Sequence, residues 1–270
     1  MKSFIRFLVF SNIWVAFCVL ALAVSSELLL GTANHKISQF VFFATLFTYN
    51  FQRVIRLKKG ANHVRKQWLI QNRIVIFFLV SVSAFVSAFR FIDFKIETQI
   101  TILFAGLLSI LYPFGLRRIP FSKIFVISLV WTISTMVLLV LENNVQFSQH
   151  IVFHLVSRFF FVFAITIPFD IRDLKYDSYK LRTIPLFFGV PKARFIAIIT
   201  LFICVIIAIF QSLENALISS NLLALILLYF MASIFIIKSD EYKCEMYFSF
   251  WVESLSIALY FFLAISSLMF

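Results

Sequence analysis

Residues 151–177 read IVFHLVSRFFFVFAITIPFDIRDLKYD. Up to Phe169 the stretch is apolar with few interruptions, and the apolar positions run on instead of alternating. That pattern suits a buried or lipid-facing helix and excludes a barrel strand, whose residues would alternate between lipid and lumen. Extended back to residue 149, the run is long enough to cross a bilayer core. Immediately after it come Asp170, Asp173 and Asp177, interleaved with Arg172 and Lys175. An apolar span that ends in a dense polar cluster decides the fold class: a membrane helix whose chemistry sits at one end.

The rest of the chain repeats the apolar theme. Hydrophobic residues make up 62% of the 270 positions, charged residues 13%, and Phe alone supplies 38. A soluble domain averages about a quarter charged, and no soluble fold of this size hides so much apolar surface. Spans are expected at 4–30, 37–56, 69–89, 98–114, 122–141, 149–169, 193–211, 219–237 and 247–269, which makes an all-α polytopic membrane bundle of about nine helices in a single domain, 1–270. Lys2 and Arg6 before an apolar stretch, with Ala21-Leu22-Ala23 after it, resemble a secretion signal. Ser11, Asn12 and Trp14 interrupt that run, so it reads as a retained first span. Gly31, Gly60, Gly115 and Gly189 fall in connections, as do Pro120, Pro185 and Pro191. Pro168 is expected to kink or end its helix.

The formal net charge is +12, and its placement reads as topology and not as nucleic-acid binding. With the N-terminus inside, the inner connections carry nearly all Lys and Arg, while the outer ones keep Lys36, Arg90 and Lys95. The expected location is an integral protein of the cytoplasmic membrane, N-terminus inside and C-terminus outside. Cys18, Cys204 and Cys244 lack disulfide or zinc spacing.

If the helix of the opening stretch continues past the membrane, Asp170, Asp173 and Asp177 share one face, because each residue turns the helix by about 100°. Clustered carboxylates repel unless a cation lies among them. Mg²⁺ held by these acids and by substrate phosphates is one solution; a solvated helix end paired with Arg172, Lys175 and Lys180 is the other. Arg182, followed by an apolar segment and Gly189, is placed to meet a phosphate or to serve as an ordinary inner-loop cation.

The run from Asp170 to Gly189 resembles the second aspartate-rich motif of the UbiA superfamily of intramembrane prenyltransferases. Asp170, Asp173, Asp177, Arg182, Thr183, Pro185 and Gly189 fall in register with it. Leu111-Tyr112-Pro113 through Arg117, Arg118 and Lys123 resembles that family's connection between its fourth and fifth spans. The first motif departs from the pattern. In Thr48-Tyr49-Asn50-Phe51-Gln52-Arg53-Val54-Ile55-Arg56, the family's Arg is kept as Arg53, but Tyr49, Gln52 and Arg56 stand where its aspartates would.

The resemblance implies transfer of an isoprenoid group from a prenyl diphosphate to an aromatic or other lipophilic acceptor within the bilayer, with Mg²⁺ as cofactor. It implies Asp170, Asp173 and Asp177 as catalytic metal anchors. Arg53, Arg56, Arg117, Arg118, Lys123, Lys180 and Arg182 are then candidate diphosphate-binding residues, and Tyr49, Asn50 and Gln52 form the degenerate first motif. A neutral amide and a guanidinium do not hold Mg²⁺, but arginine binds phosphate oxygens directly. One metal with arginine replacing the other is therefore one reading. A non-catalytic member of the fold, binding an isoprenoid or a protein partner, is another. A transporter is the least economical, since no matching pair of Gly/Pro-interrupted helices occurs.

Elsewhere, His154 and Arg158 are four apart on one helix face. Arg158 in mid-span requires a partner or an aqueous cavity; for it, as for Glu27 and Glu253, structural ion pairing is the first expectation and a substrate role the other. Asp240, Glu241 and Glu245 read as a solvated loop.

Overall fold

The computed structural model describes residues 2–32, 34–58, 65–112, 119–175 and 183–268; the side chains of Lys2, Arg56 and Lys58 lie outside that description. Among the described residues there is no strand. The helices are α1 Lys2–Phe10, α2 Ile13–Leu30, α3 Lys36–Lys58, α4 Lys66–Gln71, α5 Arg73–Ile92 and α6 Ile96–Leu111. They continue as α7 Ser122–Glu142, α8 Gln149–Asp173, α9 Ile184–Phe188, α10 Val190–Leu213, α11 Ser219–Ile237 and α12 Tyr247–Leu268.

Seven helices are long and apolar enough to cross a membrane: α2, α5, α7, α8, α10, α11 and α12. The chain is an all-helical integral membrane protein. Two of the nine expected spans fall short of that description for identifiable reasons. Helix α6 is shorter, at 16 residues. Helix α3 has Lys36, Arg53, Arg56 and Lys58 at its ends and Asn50 and Gln52 between them.

Helix α2 lies between α3 and α12 and also meets α7; α7 packs on α8, α8 on α10, α10 on α11, and α11 on α12. The result is a ring of helices, with α5 outside it against α3. Position explains burial. The α5 side chains Ile74, Phe77, Phe85 and Phe89 are exposed, as befits a lipid-facing helix, whereas α2 is buried along most of its length.

Three local features depart from expectation. The first span is not one helix. It breaks at Ser11-Asn12, where Asn12 adopts φ 61°, a left-handed conformation that Asn tolerates better than most residues. Pro168 does not end α8, which continues through it to Asp173. The cost of one lost backbone hydrogen bond is accepted there, and Asp170 and Asp173 stay on one helical face. Two π-helical turns also occur, at Ile133–Val137 within α7 and at Tyr247–Val252 opening α12.

Arg158 is buried and donates to Ser25 Oγ and Ser26 Oγ on α2, at 3.2 and 2.9 Å. Its partners are hydroxyls, not the carboxylate that ion pairing would require. Glu27 meets His35 and Ser38.

Candidate functional site

Between α2, α3, α6, α7, α8 and the start of α12 lies a cavity of about 620 Å³. One end carries Arg53, Arg65, Lys123, Arg172 and Lys175 together with Asp173. Its depth is lined by apolar side chains, among them Val15, Val19, Phe40, Val41, Ile102 and Val162. The space is therefore amphipathic, cationic at the mouth and hydrocarbon-like inside. An anion bearing an apolar tail matches both ends.

Helix α8 supplies the acids. Asp170 is fully buried and Asp173 is a turn nearer the mouth. Lys123, at the start of α7, reaches both: its Nζ lies 2.7 Å from Asp170 Oδ1 and 2.8 Å from Asp173 Oδ2. The other Asp173 oxygen accepts from Arg172 Nε at 2.8 Å. Arg172 continues to Glu245 Oε1 at 3.3 Å and lies over the Phe169 and Phe248 rings. Arg65 closes the series, donating to Glu245 Oε1 at 2.7 Å, to Ser249 Oγ at 2.7 Å and to the Val9 carbonyl at 2.8 Å. Three cations thus alternate with three carboxylates and tie α7, α8, α12 and α1 together.

Glu245 is not the solvated loop residue expected from its acidic and basic neighbours; its side chain is only 12% exposed. Burial alone would raise its carboxyl, but the Arg172 and Arg65 guanidiniums outweigh that and hold it at about 2. A sequence signal for this group existed. Glu245, Ser249 and Glu253 recur every four residues and share a helix face. Arg65 carried no comparable signal, being one basic residue among many.

The first-motif positions have separate fates. The Tyr49 hydroxyl accepts from Trp131 Nε1 at 3.1 Å, and Gln52 Nε2 donates to the Ser109 carbonyl at 2.8 Å. Both residues and Arg53 line the cavity. Asn50 is fully buried and does not line it. It accepts from Asn12 Nδ2 at 2.9 Å and donates to the carbonyls of Ser11 and Leu46. Asn50 therefore holds α3 to the break between α1 and α2. Asp177, Arg117, Arg118, Lys180 and Arg182 lie outside the described residues, as does the side chain of Arg56.

The donor set bears on whether a divalent cation fits. Asp170 and Asp173 already converge on one cationic atom, the Lys123 ammonium. Hard oxygen donors gathered in this way suit one Mg²⁺, which is commonly held by one or two carboxylates plus substrate phosphates. Among the described residues they do not suit two, because α3 contributes no carboxylate to the cavity. Among the described residues no group of three His, Cys, Asp or Glu side chains forms a metal site. Any metal must also compete with Lys123 for the acids.

Comparison with known proteins places this geometry in context. No curated protein matches the chain in sequence. Solved structures match its fold. A UbiA homologue from Archaeoglobus fulgidus, bound to GPP and Mg²⁺, superposes with a TM-score of 0.64 at 15% identity, covering 97% of this chain and 99% of that one. The apo UbiA homologue from Aeropyrum pernix K1 gives 0.63 at 12% identity, covering 94% and 97%. A structure concerning digeranylgeranylglyceryl phosphate synthase in membranes gives 0.64 at 12% identity and covers both chains completely. The model of the UbiA prenyltransferase family matches residues 64–255, most of the chain and both acid-bearing helices α8 and α12 up to Leu255. The chain belongs to the UbiA prenyltransferase family.

Proposed function

We propose that the protein transfers an isoprenoid group from a prenyl diphosphate, bound with its head at the cationic mouth and its chain in the apolar depth, to a lipophilic acceptor. The observation that carries the reading is the cavity itself. Arg53, Arg65, Lys123, Arg172 and Lys175 line the same space as Val15, Val19 and Phe40. A volume near 620 Å³ lies within the usual range for small-ligand sites. The relatives solved with GPP or DMAPP and Mg²⁺ belong to the same fold, which is consistent with this donor class.

One Mg²⁺ would be held by Asp170 and Asp173, with Asp177 as a further anchor. When bound, such an ion offsets charge on the departing diphosphate. The described cluster balances its own charges, three cations against three carboxylates. Binding a diphosphate therefore calls for added positive charge. Arg53 and Lys175 contribute some of it, and Arg56, Arg117, Arg118, Lys180 and Arg182 are the further candidates. Lys123 and the arginines bind and orient phosphate oxygens by charge-assisted hydrogen bonds. The apolar walls keep water from the allylic carbon. Pairing of Lys123 with both acids also favours a second reading, in which the fold binds an isoprenoid diphosphate without turning it over.

The basic mouth is assigned to the cytoplasmic face of the inner membrane, with the N-terminus inside. Reporter fusions at Asn143 and Ala61 should then fall on opposite sides, and the same side for both would refute that orientation. For the function, the test is titration of purified protein with geranyl diphosphate, followed by assay of label transfer. Saturable binding with transfer supports the transferase reading. Binding without transfer to any acceptor supports the non-catalytic one, and no binding contradicts both.

A further inference from the structure

Glu253 is a carboxylate that the donor-binding geometry does not use. It lies on α12 and lines the cavity. Unlike those of Asp170, Asp173 and Glu245, its side chain makes no hydrogen bond or ion pair among the described residues. Its position follows from the backbone. The π-helical turn Tyr247–Val252 immediately precedes it, and its own N–H reaches the Phe248 carbonyl five residues back, at 3.2 Å. Such bulges cost regular hydrogen bonding and recur at functional sites.

Depth gives the residue its meaning. Ser249, one turn earlier on α12, accepts from Arg65 and Arg172 at the cationic mouth. Glu253 lies one helical turn farther into the membrane. A diphosphate held at the mouth would present its first carbon at about that level. The groups acting on Glu253 are Arg65, Arg172 and Arg53 from the mouth side, Glu245 just before the same helix and Cys18 from α2. Nearby depth is set by neutral hydroxyls, Thr48 one turn from Gln52 and Thr166 one turn from Asp170, both lining the cavity.

We infer that Glu253 is the proton acceptor for the transfer step and that the acceptor substrate is a neutral, hydroxyl-bearing molecule. This inference rests on the donor reading above. The acceptor's O–H bond breaks toward Glu253, whose carboxylate takes the proton. The electron pair released on the acceptor forms the new bond to the first prenyl carbon. The bond from that carbon to diphosphate oxygen breaks, and its electrons leave on the diphosphate. Glu253 returns its proton to the aqueous mouth when products depart. A fixed carboxylate at this depth repels an acidic acceptor and hydrogen-bonds a neutral hydroxyl, so the same residue sets the acceptor class.

The test uses the full-length protein in lipid nanodiscs with radiolabelled geranyl diphosphate and two phenols, neutral para-cresol and anionic para-hydroxybenzoate. Wild type, Glu253→Gln and Glu253→Asp are compared for donor affinity and label transfer across pH. Expected are preferential use of para-cresol, a Glu253→Gln donor affinity near that of wild type, and transfer lowered by about a hundredfold or more, the usual scale of general-base loss. Glu253→Asp should retain part of the rate. The wild-type acid-side fall in kcat/KM should vanish in Glu253→Gln. Unimpaired transfer by Glu253→Gln, or preference for the anionic phenol, overturns the proposal. Donor binding with transfer to neither phenol overturns the acceptor class and leaves the donor reading intact. Absence of donor binding by wild type overturns the donor reading itself.

Discussion

The Lys123 ammonium stands 2.7 Å from Asp170 Oδ1 and also holds Asp173, so the carboxylates expected to anchor a metal are already joined by a cation of the chain's own. Lysine and metal therefore compete for one site. Replacing the lysine should relieve that competition while leaving a buried carboxylate uncompensated, since Asp170 is 1% exposed. Lys123→Met is expected to lower metal-free stability by about 3–5 kcal/mol, the scale for breaking a buried pair. Added Mg²⁺ should restore much of the loss. Thermal unfolding of both proteins with and without Mg²⁺ checks this, and an equal Mg²⁺ response in both would count against competition.

Asp173→Asn removes one of the two converging oxygens' charges. Its expected effect is loss of the Mg²⁺-dependent part of geranyl diphosphate binding, with any metal-independent part retained. Unchanged binding and turnover would remove Asp173 from the mechanism.

Arg53 lines the cavity on the face where aspartates would have supplied negative charge. Arg53→Gln should weaken geranyl diphosphate binding by about 1.5–3 kcal/mol, the scale of one lost charge-assisted hydrogen bond. The same is expected of Arg56→Gln if its guanidinium also meets the donor. Donor affinity equal to wild type would reduce either residue to a helix-end topology signal.

Glu245 gives a pH dependence with a definite sign. Its carboxyl is held near 2, below the ordinary glutamate value of about 4.3. Its stabilising contribution is fully present above that ordinary value and is lost as pH falls through about 2. This group should therefore contribute no change in melting temperature between about pH 5 and 8. Glu245→Gln should lower stability across that whole range, by about 3 kcal/mol, because Arg65 and Arg172 lose their shared acceptor. A loss confined to acid pH would contradict the assignment.

Much of this architecture was legible in the sequence and part was not. Continuous apolar runs located the seven described helices that are long and apolar enough to cross a membrane, because the bilayer fixes both length and composition. Ser11 and Asn12 were visible as a polar interruption, but neither Gly nor Pro marked it as a break in the helix. The α8 acids were legible at helical spacing. Their pairing with Lys123 was not, because it joins residues 47 and 50 positions apart on different helices. Arg65 was indistinguishable from the other inner-loop cations. Arg158 was recognised as needing partners, but Ser25 and Ser26 are hydroxyls that any helix carries. Asn50 was grouped with the altered first motif by register, although two of its three hydrogen bonds serve the α1–α2 junction and the third reaches Leu46 in its own helix.

The most direct measurement is calorimetric titration of the wild-type protein in nanodiscs with geranyl diphosphate, geraniol and inorganic diphosphate, each with and without Mg²⁺. A cavity that is cationic at one end and apolar at the other should bind geranyl diphosphate more tightly than either half-molecule, because only the intact donor engages both ends. Mg²⁺ should tighten the two diphosphates and leave geraniol unchanged. Equal affinity for geraniol and geranyl diphosphate, or no saturable binding of the latter in either condition, would contradict the assignment of this cavity to a prenyl diphosphate.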